Sequence, residues 1–293
     1  MISAPALPAL PALPAVDALR AFVERYRRLF VLTGAGCSTD SGIPDYRDLE
    51  GGWKRPPPVT FQAFMGDVVT RQRYWARSLV GWQRFSSARP NSCHRALAAL
   101  EARGQIELLL TQNVDGLHQA AGSRQVIDLH GRLDTVRCMN CTQCSPREEL
   151  QRRLVAANPG WEALQAGIAP DGDADLDDVD FASFVVVPCV RCGGVLKPDV
   201  VYFGENVPPK RVAEAFAHLA RAEAMLVVGS SLMVRSGLRF VEAAAHAGLP
   251  IAAVNFGVTR ADALLTLKLE CDCAAALAFL LDGDDGATPV PYT

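Results

Sequence analysis

LFVLTGAGCSTDSGIPDYRD, Leu29 to Asp48, is the stretch whose reading decides the fold. Leu29 to Thr33 is a short, largely apolar run of the kind that forms a buried strand, and it opens directly into Gly34-Ala35-Gly36. Glycines placed there let the backbone approach a pyrophosphate, whose charge the N–H groups of the loop and the next helix stabilise. The spacing departs from G-x-G-x-x-G, so taken alone the loop also fits a tight turn that holds no ligand.

Outward from this strand the same arrangement recurs. Upstream, Val16, Leu19, Phe22, Val23 and Tyr26 keep helical spacing. Downstream, Ile106 to Leu110 ends in Thr111-Gln112-Asn113, and Val126 to Leu129 ends in His130-Gly131. Met225 to Val228 precedes Gly229-Ser230-Ser231, and Ile251 to Val254 precedes Asn255-Phe256-Gly257. Polar residues that repeatedly follow apolar strands suit an open parallel sheet, in which ligands bind beyond the carboxyl ends of the strands. The expected fold class is α/β, with a Rossmann-like parallel-sheet domain, a smaller zinc-binding lobe and a helical insert.

Cys138/Cys141 and Cys189/Cys192 form two Cys-x-x-Cys pairs that interrupt this alternation. Four thiolates saturate a tetrahedral zinc and leave no open position, so the site is expected to be structural. Cys144 continues the spacing of Cys138 and Cys141 and is an alternative ligand; Cys141 is preferred, and an iron–sulfur run would need another cysteine soon after Cys144. Between the pairs, Asp171, Asp173 and Asp175 alternate as in a calcium loop. Leu176 and Ala182 then stand where glycine and glutamate are needed, so a solvated acidic loop is expected.

The boundaries that follow are a disordered Pro/Ala leader at 1–15, the sheet domain at 16–136 and 205–285, and a zinc lobe with a substrate-binding strand at 137–204. A helical insert falls at about 51–95. In that insert Arg71, Arg73, Tyr74, Trp75 and Trp82 suggest helices outside the main sheet, with no chemistry assigned.

The 293 residues carry a net charge of -3 without a dense basic block, which argues against a nucleic-acid partner. No apolar run reaches the length of a membrane span, and the leader lacks a basic signal start. Nine cysteines, an odd number, fit a reducing compartment better than a disulfide framework. The expectation is a cytoplasmic monomer, or a mitochondrial-matrix protein if the chain is a processed eukaryotic one.

Beyond these features, GAGCSTDSGIPDYRD from Gly34 to Asp48 and TQNVDGLH from Thr111 to His118 resemble sirtuin signatures. His130-Gly131, the cysteine pairs, LKPDVVYFGE from Leu196 to Glu205, GSSL from Gly229 and VNFG from Val254 follow in the family's order. The resemblance covers roughly Val16 to Leu281 and implies an NAD-dependent protein-lysine deacylase with one structural Zn2+. Acylated lysine on proteins or peptides would be the substrate, and nicotinamide and O-acyl-ADP-ribose the products.

By this resemblance Gly34, Ala35, Gly36, Ser38 and Thr39 face the pyrophosphate side of NAD, and Asp45, Tyr46 and Arg47 belong to a cofactor-binding loop. Gln112, Asn113 and Asp115 line the ribose and nicotinamide pocket, Asn113 and Asp115 also counting as catalytic, and His130 is the general base. Gly229, Ser230, Ser231, Asn255, Phe256, Gly257 and Cys273 border the adenosine side. Val200, Val201, Phe203, Gly204 and Glu205 pair with substrate by β-augmentation. His94, His118, His218 and His246 are read as structural. Tyr46 and Ser230 replace the family's commoner phenylalanine and threonine.

RQRYWARSLVGWQRFSS from Arg71 to Ser87 and the long insert between the cysteine pairs look like the class II, mitochondrial-type branch, which includes lipoamidase-like and ADP-ribosyltransferase-like members. Lipoyl, biotinyl or another non-acetyl group is therefore expected beside acetyl. Protein mono-ADP-ribosyl transfer is the alternative reaction, and a non-enzymatic NAD-sensing adaptor is the alternative of another class. A hydride-transferring oxidoreductase fits less well, because Gly51-Gly52-Trp53-Lys54 stands where an acidic ribose ligand belongs.

Overall fold

A computed structural model describes residues 13–54, 58–164, 167–168, 172–176 and 179–281. The chain begins with α1 (Leu13–Arg25) and β1 (Leu29–Thr33), then passes through one-turn segments at Ala35–Cys37 and Thr39–Ser41. The insert supplies α2 (Phe61–Gly66) and α3 (Val68–Ser87); α4 (Ser92–Ala102) returns to the main sheet, followed by β2 (Ile106–Thr111), α5 (Leu117–Ala120) and β3 (Val126–Asp128). Next come β4 (Gly131–Cys138), β5 (Cys144–Pro146), α6 (Arg147–Ala157), β6 (Gly167–Ile168), β7 (Ala174–Asp175) and β8 (Leu196–Val200). The chain closes with α7 (Pro209–Leu219), β9 (Ala224–Val228), α8 (Arg235–His246), β10 (Ile251–Val254), β11 (Leu267–Leu269) and α9 (Cys273–Leu277). Helix α1 thus begins at Leu13, inside the expected leader; its apolar positions pack on the sheet and carry the helix further back. The other leader residues lie outside the described ones.

The main sheet has the order β11-β10-β9-β1-β2-β3, and every pairing in it is parallel. Strand alternation sorts its side chains to two faces. Leu29 and Val31 join Leu19, Val23, Leu97 and Leu277 on the face covered by α1, α4 and α9. Phe30 and Leu32 join Ala215, Leu219, Phe240 and Val241 on the face covered by α7 and α8. Burial on both faces explains why these strands read as continuous apolar runs. Strand order reverses between β1 and β9, so their adjacent carboxyl ends form the switch point at which an open sheet binds ligands.

A second sheet, β5-β4-β8, is antiparallel and carries the cysteines. Its apolar face shares a core with α3 and α6 in which Trp75, Phe64, Val136, Leu154 and Phe184 are buried. The buried Arg147 guanidinium ties the two helices, lying 5.3 Å from the Trp75 ring and 4.9 Å from the Trp82 ring. Burial pushes its pKa down to about 10, against the opposing influence of Tyr74 and Asp173.

The expectation of a solvated acidic loop is therefore corrected at Asp173, which is 3% exposed and electrostatically coupled to Arg147. Asp180 is exposed and caps a one-turn helix, while Asp171, Asp177 and Asp178 lie outside the described residues. The segment around Asp173 can rest on α3 because Gly81 has no side chain: a Cβ there would collide with the Gly172 carbonyl oxygen. Arg77 Nε donates to the Ala174 carbonyl at 2.8 Å and fixes the same contact.

Gly81→Ala should lower the unfolding free energy by about 1–3 kcal/mol through overpacking, although alanine is favoured in a helix interior by about 1 kcal/mol. A urea-unfolding midpoint at or above that of the parent would show that helix propensity outweighs the contact with Gly172.

Candidate functional site

The carboxyl ends of β1 and β9 meet backbone to backbone. Gly34 N–H donates to the Val228 carbonyl at 3.1 Å, and Gly36 N–H to the Gly229 carbonyl at 2.9 Å. Cβ atoms at Gly34 and Gly36 would stand 2.8 and 3.0 Å from the Gly229 carbonyl oxygen. Gly229 itself has φ +63°, a left-handed conformation that favours glycine. The glycines that sequence reading assigns to ligand approach are thus also required by the protein's own chain packing.

Beyond this junction lies a cavity of about 470 Å³, within the range of small-molecule sites. All the expected cofactor residues border it except Gly257. Gly257 packs instead on the backbone of Leu49, and the neighbouring Val258 N–H donates to the Leu49 carbonyl at 2.9 Å. Gly257 therefore holds the 45–54 loop in place. That loop also closes on itself: Lys54 pairs with Asp45, Arg47 donates to the Gly51 carbonyl, and the Arg47 guanidinium lies 3.5 Å above the Trp53 ring.

The loop after β2 supplies the polar groups. Asn113 Nδ2 donates to the Gly34 carbonyl and to Ser38 Oγ, both at 3.0 Å. Ser38 Oγ donates to Asp115 Oδ2 at 2.7 Å, and Leu117 N–H donates to Asp115 Oδ1 at 2.9 Å. Burial raises the Asp115 pKa against these hydrogen bonds. Gln112 Nε2 donates to Ser230 Oγ at 2.7 Å, joining the β2 loop to the β9 loop.

His130 stands where β3 ends and the small sheet begins. Its Nδ1 is 3.0 Å from the Gln112 carbonyl and its Nε2 is 2.7 Å from Ser236 Oγ. A carbonyl only accepts, so Nδ1 carries the proton and Nε2 keeps its lone pair. Burial lowers the pKa to about 4, leaving the ring neutral and basic at Nε2 near pH 7.

The expected substrate strand is shorter than Val200 to Glu205. Only Val200 belongs to β8; Val201 N–H then donates to the His130 carbonyl at 2.8 Å, and the Phe203 carbonyl accepts from Phe61 N–H at 2.9 Å. The Glu205 carboxylate clamps the following turn by accepting from Lys197 Nζ at 3.1 Å and Tyr202 N–H at 3.0 Å. All five expected residues still border the cavity.

Sequence reading missed several walls of this cavity. Tyr74 and Phe85 reach it from α3, a helix given no chemistry, together with Ile43, Val114 and Leu133. Trp53 also lines it, its ring 6.2 Å from Tyr46 and 5.7 Å from Phe203. A tryptophan directly after two glycines was the available signal. Ser236 and Arg239 carried none, because α8 reads as an ordinary amphipathic helix.

In the small lobe, the sulfurs of Cys138, Cys141, Cys189 and Cys192 lie within 4.8 Å of one another. Cys138 and Cys192 are separated by 3.5 Å and Cys141 and Cys189 by 3.8 Å, close to the roughly 3.8 Å edge of a zinc tetrahedron with Zn–S near 2.3 Å. Burial disfavours the Cys138 thiolate, but hydrogen bonds from the backbone N–H groups of Cys141 and Asn140 and from the Cys192 and Cys141 thiols together outweigh it and bring the pKa to about 6. Cys144 is exposed on β5, with its sulfur toward the Thr142 carbonyl, outside the cluster. The four-cysteine set suits a structural zinc.

Cys37, His94 and His118 form another close group. Here the protein takes up ring nitrogens: His118 Nε2 is 2.9 Å from Thr33 Oγ1, and His94 Nδ1 is 3.0 Å from Asn91 Oδ1 in the capping box of α4. Burial lowers the pKa of His94 to about 4 and that of His118 well below the ordinary value.

Glycine loops at a switch point, with a carboxylate and a neutral imidazole facing the same cavity, describe an enzyme that uses a dinucleotide. The thiol lobe beside them narrows the class to zinc-bearing members. The Sir2 family model matches residues 34–236, and the chain belongs to this family. It is 74% identical over 91% of its length to an NAD-dependent protein deacetylase of Xanthomonas campestris, 91% of which is covered. It is also 65% identical to one from Bordetella bronchiseptica, covering 89% of this chain and 95% of that one. A Sir2 structure with a p53 peptide and NAD+ superposes with a TM-score of 0.73 at 29% identity, covering 91% and 97%. The chain is an NAD-dependent sirtuin enzyme, by homology a protein deacetylase.

Two outcomes test the site. Cys141→Ser should lose most of the zinc, whereas Cys144→Ser should keep about one ion per chain by elemental analysis; the reverse would exchange their roles. Secondly, the folded pKa values of His94 and His118 lie below the unfolded value of about 6.5, so the unfolded chain binds more protons as pH falls through that value. Stability should drop by up to about 1.4 kcal/mol per pH unit for each histidine, the loss for His94 levelling off as pH passes below its folded pKa of about 4. A flat urea-unfolding free energy between pH 6.5 and 5 would contradict this burial.

Proposed function

We propose that this enzyme removes acyl groups from lysine side chains of proteins and passes them to ADP-ribose, releasing nicotinamide and O-acyl-ADP-ribose. The observation that carries the reading is His130, a neutral imidazole that borders the cavity of the Gly34–Gly36 and Gly229–Ser231 loops and keeps its lone pair on Nε2, against the Ser236 hydroxyl. NAD supplies the activated ribose when bound. Gly34, Ala35, Gly36, Ser38, Thr39, Gly229, Ser230 and Ser231 hold its phosphates and ribose, while Asp45, Tyr46 and Arg47 cover it. Asn255, Phe256 and Cys273 border the adenosine. Gln112 and Asn113 orient the reacting ribose, and Asp115 accepts from the carboxamide N–H groups. His130 takes the ribose hydroxyl proton at Nε2. The peptide backbone aligns with the Val200 to Glu205 segment, and the acyl-lysine enters between Phe203, Trp53 and the insert.

The acyl group is proposed to be larger than acetyl, with lipoyl and biotinyl as candidates, in keeping with the class II branch. Support comes from the cavity wall. Tyr74 and Phe85 both border the cavity although they lie three turns apart on α3, roughly 16 Å along the axis. Leu133, Val114 and Ile43 complete an apolar lining. An acetyl group extends only one methyl beyond its carbonyl. The division into a sheet domain with a helical insert and a zinc lobe is proposed to follow the two sheets. The odd cysteine count and the clustering of four cysteines in a metal-suited set support a reducing compartment such as the cytoplasm. We propose that the enzyme acts there as a monomer on protein substrates, without a nucleic-acid partner.

Lysine peptides carrying acetyl, lipoyl, biotinyl and branched acyl groups, incubated with and without NAD and followed by mass spectrometry, test this reading. Loss of the acyl mass with equimolar nicotinamide is expected, fastest for a non-acetyl group, and His130→Ala should reduce it by about 10²–10⁴ while retaining zinc. An acetyl-only preference would overturn the acyl assignment, and ADP-ribose mass added to protein would favour transferase chemistry.

A further inference from the structure

The closest side-chain partner of His130 comes from outside the sequence motifs. Ser236, the second residue of α8, places Oγ 2.7 Å from His130 Nε2, and its carbonyl accepts from Arg239 Nε at 3.2 Å. The next residue belongs to the same arrangement. A Cβ at Gly237 would stand 2.6 Å from Gln112 Oε1, and the Gln112 backbone carbonyl accepts from His130 Nδ1–H. The first turn of α8 thus meets Nε2 directly through Ser236 and packs at Gly237 against the side chain of Gln112, the residue whose carbonyl binds Nδ1. With the proton on Nδ1, Nε2 is the acceptor and the Ser236 hydroxyl is the donor.

We propose that Ser236 is a positioning residue: its hydroxyl holds the Nε2 lone pair of His130 until a ribose hydroxyl of the bound dinucleotide takes over the same acceptor. This rests on reading His130 as the general base. The handover exchanges one O–H···N hydrogen bond for another, so no buried nitrogen is left unpaired and no charge forms until the ribose proton moves to Nε2. The charged groups facing the ring are Arg211 from α7 and Arg239 from α8. Both oppose its protonation, as burial does most strongly, whereas the Gln112 carbonyl favours it.

The test compares Ser236→Ala and Ser236→Thr with the parent in the full-length, zinc-loaded protein. Nitrogen-15 histidine spectra without NAD report the tautomer and titration of His130, and acyl-peptide turnover reports the acid limb of kcat/KM. Ser236→Ala should move the Nε2 resonance of the neutral ring, change the His130 titration midpoint and lower kcat by about three- to tenfold. Ser236→Thr, which keeps the hydroxyl, should restore all three. Unchanged titration in Ser236→Ala, or a threonine variant that titrates like alanine, would overturn the proposal. Full turnover in His130→Ala would instead overturn the general-base reading; the spectra test the Ser236 contact independently of turnover.

Discussion

Backbone contact between two loops, with no side chain between them, is the constraint on which the site depends. Gly34 and Gly36 lie against Gly229 because β1 and β9 are neighbours at the point where strand order reverses. Any side chain there would separate the loops and widen the cavity mouth. Their closeness brings the β9 loop within reach of Gln112, whose amide bonds Ser230 and whose carbonyl fixes His130. The same chain of contacts continues through Asn113 to Ser38 and Asp115. The polar groups are therefore positioned by neighbouring polar groups and backbone, an arrangement that loses little on ordering when a ligand binds.

The second organising feature is the way the insert and the zinc lobe face the cavity. Neither would be expected to hold its position alone. The small sheet has three strands, and its apolar face is completed by α3 and α6 with the buried Arg147 between two tryptophans. Burying a guanidinium is costly, and the aromatic faces together with Asp173 offset part of that cost. Because α3 belongs to this shared core, Tyr74 and Phe85 are presented to the cavity on a rigid support. A structural zinc at the far end of β4 would hold that strand against β8, and β4 begins at the residue after His130.

Electrostatics divide the histidines by surroundings. His94 and His118 are sealed behind the glycine loop, with ring nitrogens bonded to Asn91 and Thr33. His130 is equally neutral, yet its Nε2 meets a hydroxyl that can be exchanged at a cavity wall. Similar burial thus leaves all three imidazoles neutral, and only the proposed base, His130, lines the cavity. The difference lies in position: His130 borders the cavity, and His94 and His118 do not.

The sequence by itself determined the parallel sheet, the glycine loops and the cysteine pairs. These follow from local rules: apolar runs followed by polar loops, and fixed ligand spacing. The roles proposed for His130, Asn113 and Asp115 rest on the family resemblance, since a lone histidine after a strand carries no chemistry of its own. Tertiary structure decided the rest. It took Gly257 away from the cavity and ended the β8 strand at Val200. It buried Asp173 in a segment that reads as solvated, and brought Trp53, Tyr74, Phe85 and Ser236 to the cavity. Each of these depends on which distant backbone a residue meets: Leu49 for Gly257, the Gly81 face of α3 for Asp173, His130 for Ser236. Periodicity and spacing describe a residue's own element, and contacts between elements far apart in the chain leave no local pattern to read.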